Sequence, residues 1–245
     1  MLRSRVSGSR PTFIRPRSEQ IGLRNILAAL ISAGLLTACA GPLALIPWTP
    51  LLSAALSSRA GDTDTQKAIN EYQQRGDWAG LAGFAGQYLQ VDSRDPDWWI
   101  VMGYARLQQG NHASAIEALT RATQLNPEDI DAWNLLAEAQ RLSGQSGVAS
   151  RTLLRAMSID SSSPVSPYLL GEIYRGSSDF DGAISVYRRS LHLEPDYSPA
   201  WYGLGLTFIS LGRRDELTEV IDGLRKIEPK LAKELEELGR ALPKR

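Results

Sequence analysis

The sequence predicts an all-α chain, a solenoid of stacked helix–turn–helix units. Two observations carry this. A pattern of large and small apolar residues recurs every 34 residues, with copies starting at 96, 130, 164 and 198 and no insertion between them. Within each copy the apolar spacing is three and four, the period of a helix face, and Gly or Pro marks the ends.

The clearest copy, 96–129, has Pro96, Trp99, Met102, Gly103, Gly110, Ala115, Leu119, Ala122 and Pro127. Trp99 and Met102 share one face of a first helix. Gly103, Gly171 and Gly205, with Ala137 in their register, fit where a neighbouring helix crowds any side chain. Gly110, Gly144 and Gly212 follow the first helix, where a left-handed residue is expected. Ala115, Leu119 and Ala122 form the stripe of a second helix, which Pro127 ends, as do Pro195 and Pro229 in later copies. These residues read as packing.

A 34-residue period with this signature resembles the tetratricopeptide repeat (TPR). Residues 201–208, Trp-x-x-Leu-Gly-x-x-Phe, follow that family's first-helix motif closely. The resemblance implies a right-handed α-solenoid. No such unit buries its apolar face alone, so the copies must stack. A degenerate copy at 62–95 carries Ala68, Tyr72 and Tyr88 in apolar places but lacks the early Trp and the terminal Pro. Five repeats are expected, 62–95, 96–129, 130–163, 164–197 and 198–231, within an array spanning 62–231. In the fourth, Pro167 replaces the early Trp, and Ser161–Ser163 with Pro164 suggest a looser joint with the third. Residues 232–245 are expected to form a capping helix and tail, with Leu231, Leu235 and Leu238 on one stripe.

The amino terminus reads differently. Residues 1–38 carry six arginines against the single acid Glu19, which leaves the remainder at net −5. A body with that balance is a poor nucleic-acid binder. An apolar run from Ile26 to Ala38 meets Leu36-Thr37-Ala38-Cys39, which resembles the lipobox of bacterial lipoproteins. That resemblance implies a signal peptide over 1–38, cleavage between Ala38 and Cys39, and acylation of Cys39, the chain's one cysteine. The alternatives are an uncleaved membrane anchor and an organelle transit peptide. Ala40 lacks the Asp of inner-membrane retention, so the resemblance favours an outer membrane, facing the periplasm. Residues 39–61 form an apolar linker. Thr49 and Pro50 look like the start of a short helix over about 50–59, packed on the first repeat or lying in the lipid interface.

No catalytic constellation stands out. Two histidines and one cysteine make a His/Cys metal site improbable, and no phosphate-cradling loop is present. No cofactor, metal or small-molecule substrate is expected. The expected site is the concave face, which the first helices line in this family. Its inward residues are expected to be Ile100, Tyr104 and Leu107; Asn134, Glu138 and Arg141; Tyr168, Glu172 and Arg175; and Tyr202, Leu206 and Ile209. None is expected to be demanded by the repeat's own packing. The tyrosines are expected anchors for a protein or peptide partner, beside a Glu/Arg ladder. The carboxylate clamp of some family members is absent, since its places hold Gln66, Asn70, Val101, Asp131 and Leu135. By analogy the expected function is a membrane-anchored, non-enzymatic scaffold of the bacterial envelope, in pilus, secretion or cell-wall machinery. The alternatives are an adaptor or regulator of a cell-wall enzyme, and an enzyme acting alone.

Overall fold

The computed structural model describes residues 63–240. The signal peptide, the Ala38–Cys39 junction, the linker and the short helix over 50–59 all lie outside the described residues. Within them the chain forms an all-α solenoid of TPR-type helix pairs. The pairs are α1 (Thr63–Arg75) with α2 (Trp78–Val91), α3 (Pro96–Gln108) with α4 (His112–Leu125), and α5 (Ile130–Leu142) with α6 (Ser146–Ile159). Then come α7 (Val165–Gly176) with α8 (Phe180–Leu193), α9 (Ser198–Leu211) with α10 (Arg214–Ile227), and a last helix α11 (Pro229–Gly239). No described helix is long and apolar enough to cross a membrane.

Local chemistry sets the helix boundaries. Asp77, Asn111 and Asp179 stand at equivalent N-caps, each accepting from the third backbone N–H of its helix at 2.8, 3.2 and 3.0 Å. Between the two helices of each pair the backbone turns through a left-handed residue. Gly76, Gly110, Gly144 and Gly212 fill that place at φ 65°, 73°, 83° and 68°. In the fourth pair it falls to Ser178, at φ 63°, where an L side chain is strained. Ser178→Gly is expected to stabilise the array by about 1 kcal/mol, the relief of strain exceeding the entropy that glycine adds to the unfolded chain. Urea denaturation checks this, and a lower midpoint would show that the serine is not strained there.

A second device ties three of the units to the loop before them. The indole Nε1 of Trp99, Trp133 and Trp201 donates to the carbonyls of Ser93, Pro127 and Pro195 at 2.9, 2.8 and 2.7 Å. The fourth unit has Pro167 instead, in the first turn of α7, which needs no intrahelical donor. The expected loose joint there carries its own ties. Ser166 Oγ donates to Asn134 Oδ1 at 2.7 Å, and Ser190 Oγ to the Pro164 carbonyl at 2.8 Å. Pro229 also departs from its expected part, for it opens α11 three residues before the expected cap and shares the boundary residue Glu228 with α10.

First helices touch first helices of neighbouring pairs: α3 with α5, α5 with α7, and α7 with α9. Each second helix packs on its own first helix and on the next. The layer of first helices is therefore the inner one. The buried apolar side chains between the layers fall into two sets. One runs from Ile69 to Ile173, the other from Ala183 to Leu235, and Val165, Tyr168 and Tyr174 pack against both.

Candidate functional site: the inner face of the first helices

The inner face is built by one register of each first helix. The structure divides the expected site residues into two groups. Ile100, Tyr104, Asn134 and Glu138 are 0, 5, 1 and 3% exposed. The expectation that packing makes no demand on them is corrected, because adjacent elements cover them. The Tyr104 ring stands edge-on to Trp78 of α2, with ring centres 5.8 Å apart. Burial pushes its hydroxyl up to about 12, against a smaller opposing effect of the Gln108 hydrogen bond. Asn134 meets Ser166 of the next unit, and its Nδ2 is buried without a partner.

Arg141, Tyr168, Glu172, Arg175, Tyr202 and Leu206 are half-buried and reach the surface. They stand at matching registers of α5, α7 and α9, a strip of polar and aromatic groups along the first helices. Glu138 and Arg141 make a two-pronged ion pair, with both contacts at 2.7 Å. Glu172 and Arg175 repeat it one unit later, at 3.4 and 2.7 Å. The carboxylates lie beneath and the guanidiniums above, since the arginine side chains are each 31% exposed against 3% for Glu138 and 19% for Glu172. Burial works against the Arg141 charge, but Glu138, with Glu172 behind it, more than offsets this and holds its pKa above the ordinary range. The two rungs are thus coupled across the joint between units.

Tyr187 of α8 was not among the expected site residues, yet it supports this strip from below. It is fully buried, and its hydroxyl donates to Glu172 Oε1 at 2.5 Å. Burial alone would raise the Glu172 carboxyl, but Arg175, the Tyr187 hydroxyl and Arg141 together hold it below the usual value. A depressed pKa stabilises the fold above the ordinary glutamate value of about 4.3 and loses that contribution as pH falls through the folded value. Glu172→Gln is therefore expected to flatten the fall of urea midpoint with acidification below about pH 5. An unchanged acid limb would show that this carboxylate is not coupled to folding.

Tyr168 is wedged between tyrosines, with ring centres 5.7 Å from Tyr197 and 6.2 Å from Tyr187. Burial, then the negative field of Glu172, raises its hydroxyl well above the ordinary value. It joins the two apolar sets, so it is a packing residue as well as an inner-face one. Tyr202 donates to Glu234 Oε1 of α11 at 2.6 Å, so the last helix borders the strip. Among the described residues no cluster of His, Cys, Asp or Glu is arranged to hold a metal. His112, in the register of Trp78 and Phe180, is half-buried at the start of α4.

This architecture has the fold of a TPR solenoid. Residues 96–139 and 168–216 each match a family model described as tetratricopeptide repeat. Among curated proteins, Protein bimA of Emericella nidulans is 24% identical over 149 residues, which is 61% of this chain and 14% of bimA. The chain thus spans about one seventh of that relative's length. Among solved structures, MamA is 24% identical with TM-score 0.56, covering 66% of this chain and 95% of MamA. A thermophilic TPR protein of Thermus thermophilus is 18% identical with TM-score 0.60, covering 69% of this chain and 93% of its own. YrrB, described as a TPR protein with an unusual peptide-binding site, is 18% identical with TM-score 0.52, covering 76% and 97%. At these identities the likeness is one of fold.

Proposed function

We propose that this chain is a lipid-anchored scaffold that holds a protein or peptide partner against the inner face of its first helices. The observation that carries the reading is the strip Arg141, Glu172, Arg175, Tyr202 and Leu206. Its polar groups are fixed in orientation by two-pronged pairing yet remain open to solvent. Rigid, half-exposed Arg and Tyr side chains beside an aliphatic one are what binding hot spots are made of. Fixing them in advance lowers the entropy lost when a partner docks. The YrrB likeness supports a peptide as occupant. The lipobox-like Leu36–Cys39 supports an acyl anchor at Cys39. The missing Asp at residue 40 supports the outer membrane, facing the periplasm. By family analogy the partner belongs to pilus, secretion or cell-wall assembly machinery. No catalytic role is proposed.

One experiment with two arms tests this. Detergent-solubilised membranes are passed over the native chain and over a variant with Glu138, Arg141, Glu172 and Arg175 all changed to Gln. That variant keeps hydrogen-bonding capacity while removing the charges. The expected result is one captured partner lost in a variant that stays folded at the temperature of the assay, as circular dichroism checks. Equal capture by both would place binding elsewhere. In the second arm Cys39→Ser is expected to shift the chain out of the detergent phase, since each buried acyl CH₂ contributes about 0.8 kcal/mol to membrane attachment. Unchanged partitioning, with no acyl mass on the native protein, refutes the anchor.

A further inference from the structure

The outer layer, made of second helices, carries a feature that peptide binding on the inner face does not use. Arg121 on α4, Arg155 on α6 and Arg189 on α8 stand 34 residues apart, at one register of three successive units, and all are exposed. Arg151 stands one turn before Arg155 on the same face. Four other exposed arginines of the array are paired: Arg75 with Glu71, Arg213 with Glu216, Arg225 with Asp222 and Arg240 with Glu236. Among the described residues Arg151, Arg155 and Arg189 have no carboxylate at ion-pair distance, and α6 contains no acid at all. Acids lie only at the margins. Glu117 is one turn before Arg121, Asp181 is in the first turn of α8, and Glu216 of α10 faces Arg188. Between the two arginines of α6 stands Leu154, 54% exposed, with Val148, 37% exposed, two turns before it.

We propose that this outer face, centred on α6, docks on an anionic lipid surface. Guanidiniums pair with phosphate through a planar fork, and unpaired ones have that fork free. Basic residues near an anionic leaflet each add to attachment, and an exposed leucine among them reaches the apolar edge of the headgroup layer. Stable membrane attachment generally takes two signals, and a basic patch is the usual second one. No aromatic ring is exposed on α4, α6 or α8 for bases to stack on, which disfavours single-stranded nucleic acid. The choice of a lipid surface over another polyanion rests on the anchor reading, so the test is made without the anchor.

Cys39→Ser with Leu154→Cys leaves one thiol in the full chain, at the centre of the patch. Its labelling by a water-soluble maleimide is followed with vesicles of phosphatidylcholine alone or with phosphatidylglycerol added. Labelling is expected to slow at least several-fold with phosphatidylglycerol vesicles only, to recover at high salt, and to stay fast when Arg151, Arg155 and Arg189 are all changed to Gln. Labelling unchanged by anionic vesicles overturns the proposal. So does equal slowing in the glutamine variant, or slowing by a short RNA or an acidic peptide but not by vesicles. Because Cys39 is absent throughout, failure here leaves the anchor reading untouched, and failure of the anchor leaves this result standing.

Discussion

Tyr187→Ala is expected to cost the array about 3–5 kcal/mol, the range for deleting a fully buried aromatic side chain. The ring fills a space that two backbones were shaped to leave. A Cβ at Gly171 would collide with Tyr187 Cε1, and one at Gly203 would stand 2.7 Å from Tyr187 Cζ. Removing the ring leaves a void between α7 and α9 that neither glycine can fill. It also removes the hydroxyl that holds Glu172 and a neighbour of Tyr168. Tyr187→Phe separates these effects. It keeps the ring and should cost about 1–3 kcal/mol, the range for losing a hydrogen bond to a charged, half-buried carboxylate. Urea unfolding of both variants is the measurement. A Tyr187→Ala loss below that of Phe would show that the pocket collapses without the ring and that packing is not its role.

Leu235→Ala, in the last described helix, is expected to cost about 2–5 kcal/mol. Leu235 is fully buried, and its methyl groups sit where a side chain on Gly205 would be. The helix α11 thus covers α9 and α10 as a sixth unit would, and closes the apolar end of the stack. Its polar links, Arg225 to Glu236 at 3.5 Å and Tyr202 to Glu234, lie nearer the surface and contribute less. Removing residues 229–245 should expose Leu204, Val220 and Leu224 and bring self-association as well as a lower melting temperature. Light scattering during thermal melts reads both. A truncated chain that stays monomeric with native stability would mean that α11 is dispensable.

The solenoid was legible because its period is written in small residues and turn formers, whose positions depend on backbone geometry alone. The inner face was legible in part. Counting along the first helix found the register of Arg141, Tyr168, Glu172, Arg175, Tyr202 and Leu206. It could not find which members of that register the next unit covers. Asn134 and Ile100 are buried by what packs on them, and a repeat consensus contains no term for its neighbour. Tyr187 was readable in principle. Its register holds Leu119, Leu153 and Ile221 in other units. The position it meets in the following unit, occupied by Leu135 and Leu169 elsewhere, is Gly203. A larger residue on one side is matched by a smaller one on the other, a conservation of volume visible within a single chain. The hydrogen bond to Glu172 left no such trace, since nothing in the repeat pattern links a second-helix tyrosine to a first-helix carboxylate.

The division of the buried side chains into two sets, joined at Val165, Tyr168 and Tyr174, gives the array a mechanical character. Two stiff blocks in series share load unequally, and deformation concentrates at the link between them. The Glu138–Arg141 and Glu172–Arg175 rungs lie on opposite sides of the α5–α7 joint, beside that link. Both rungs stand on helices whose buried side chains belong to the first set, so the spacing of the two guanidiniums is a fixed dimension of the inner face, and the compliant one lies beyond them, between α7 and α8.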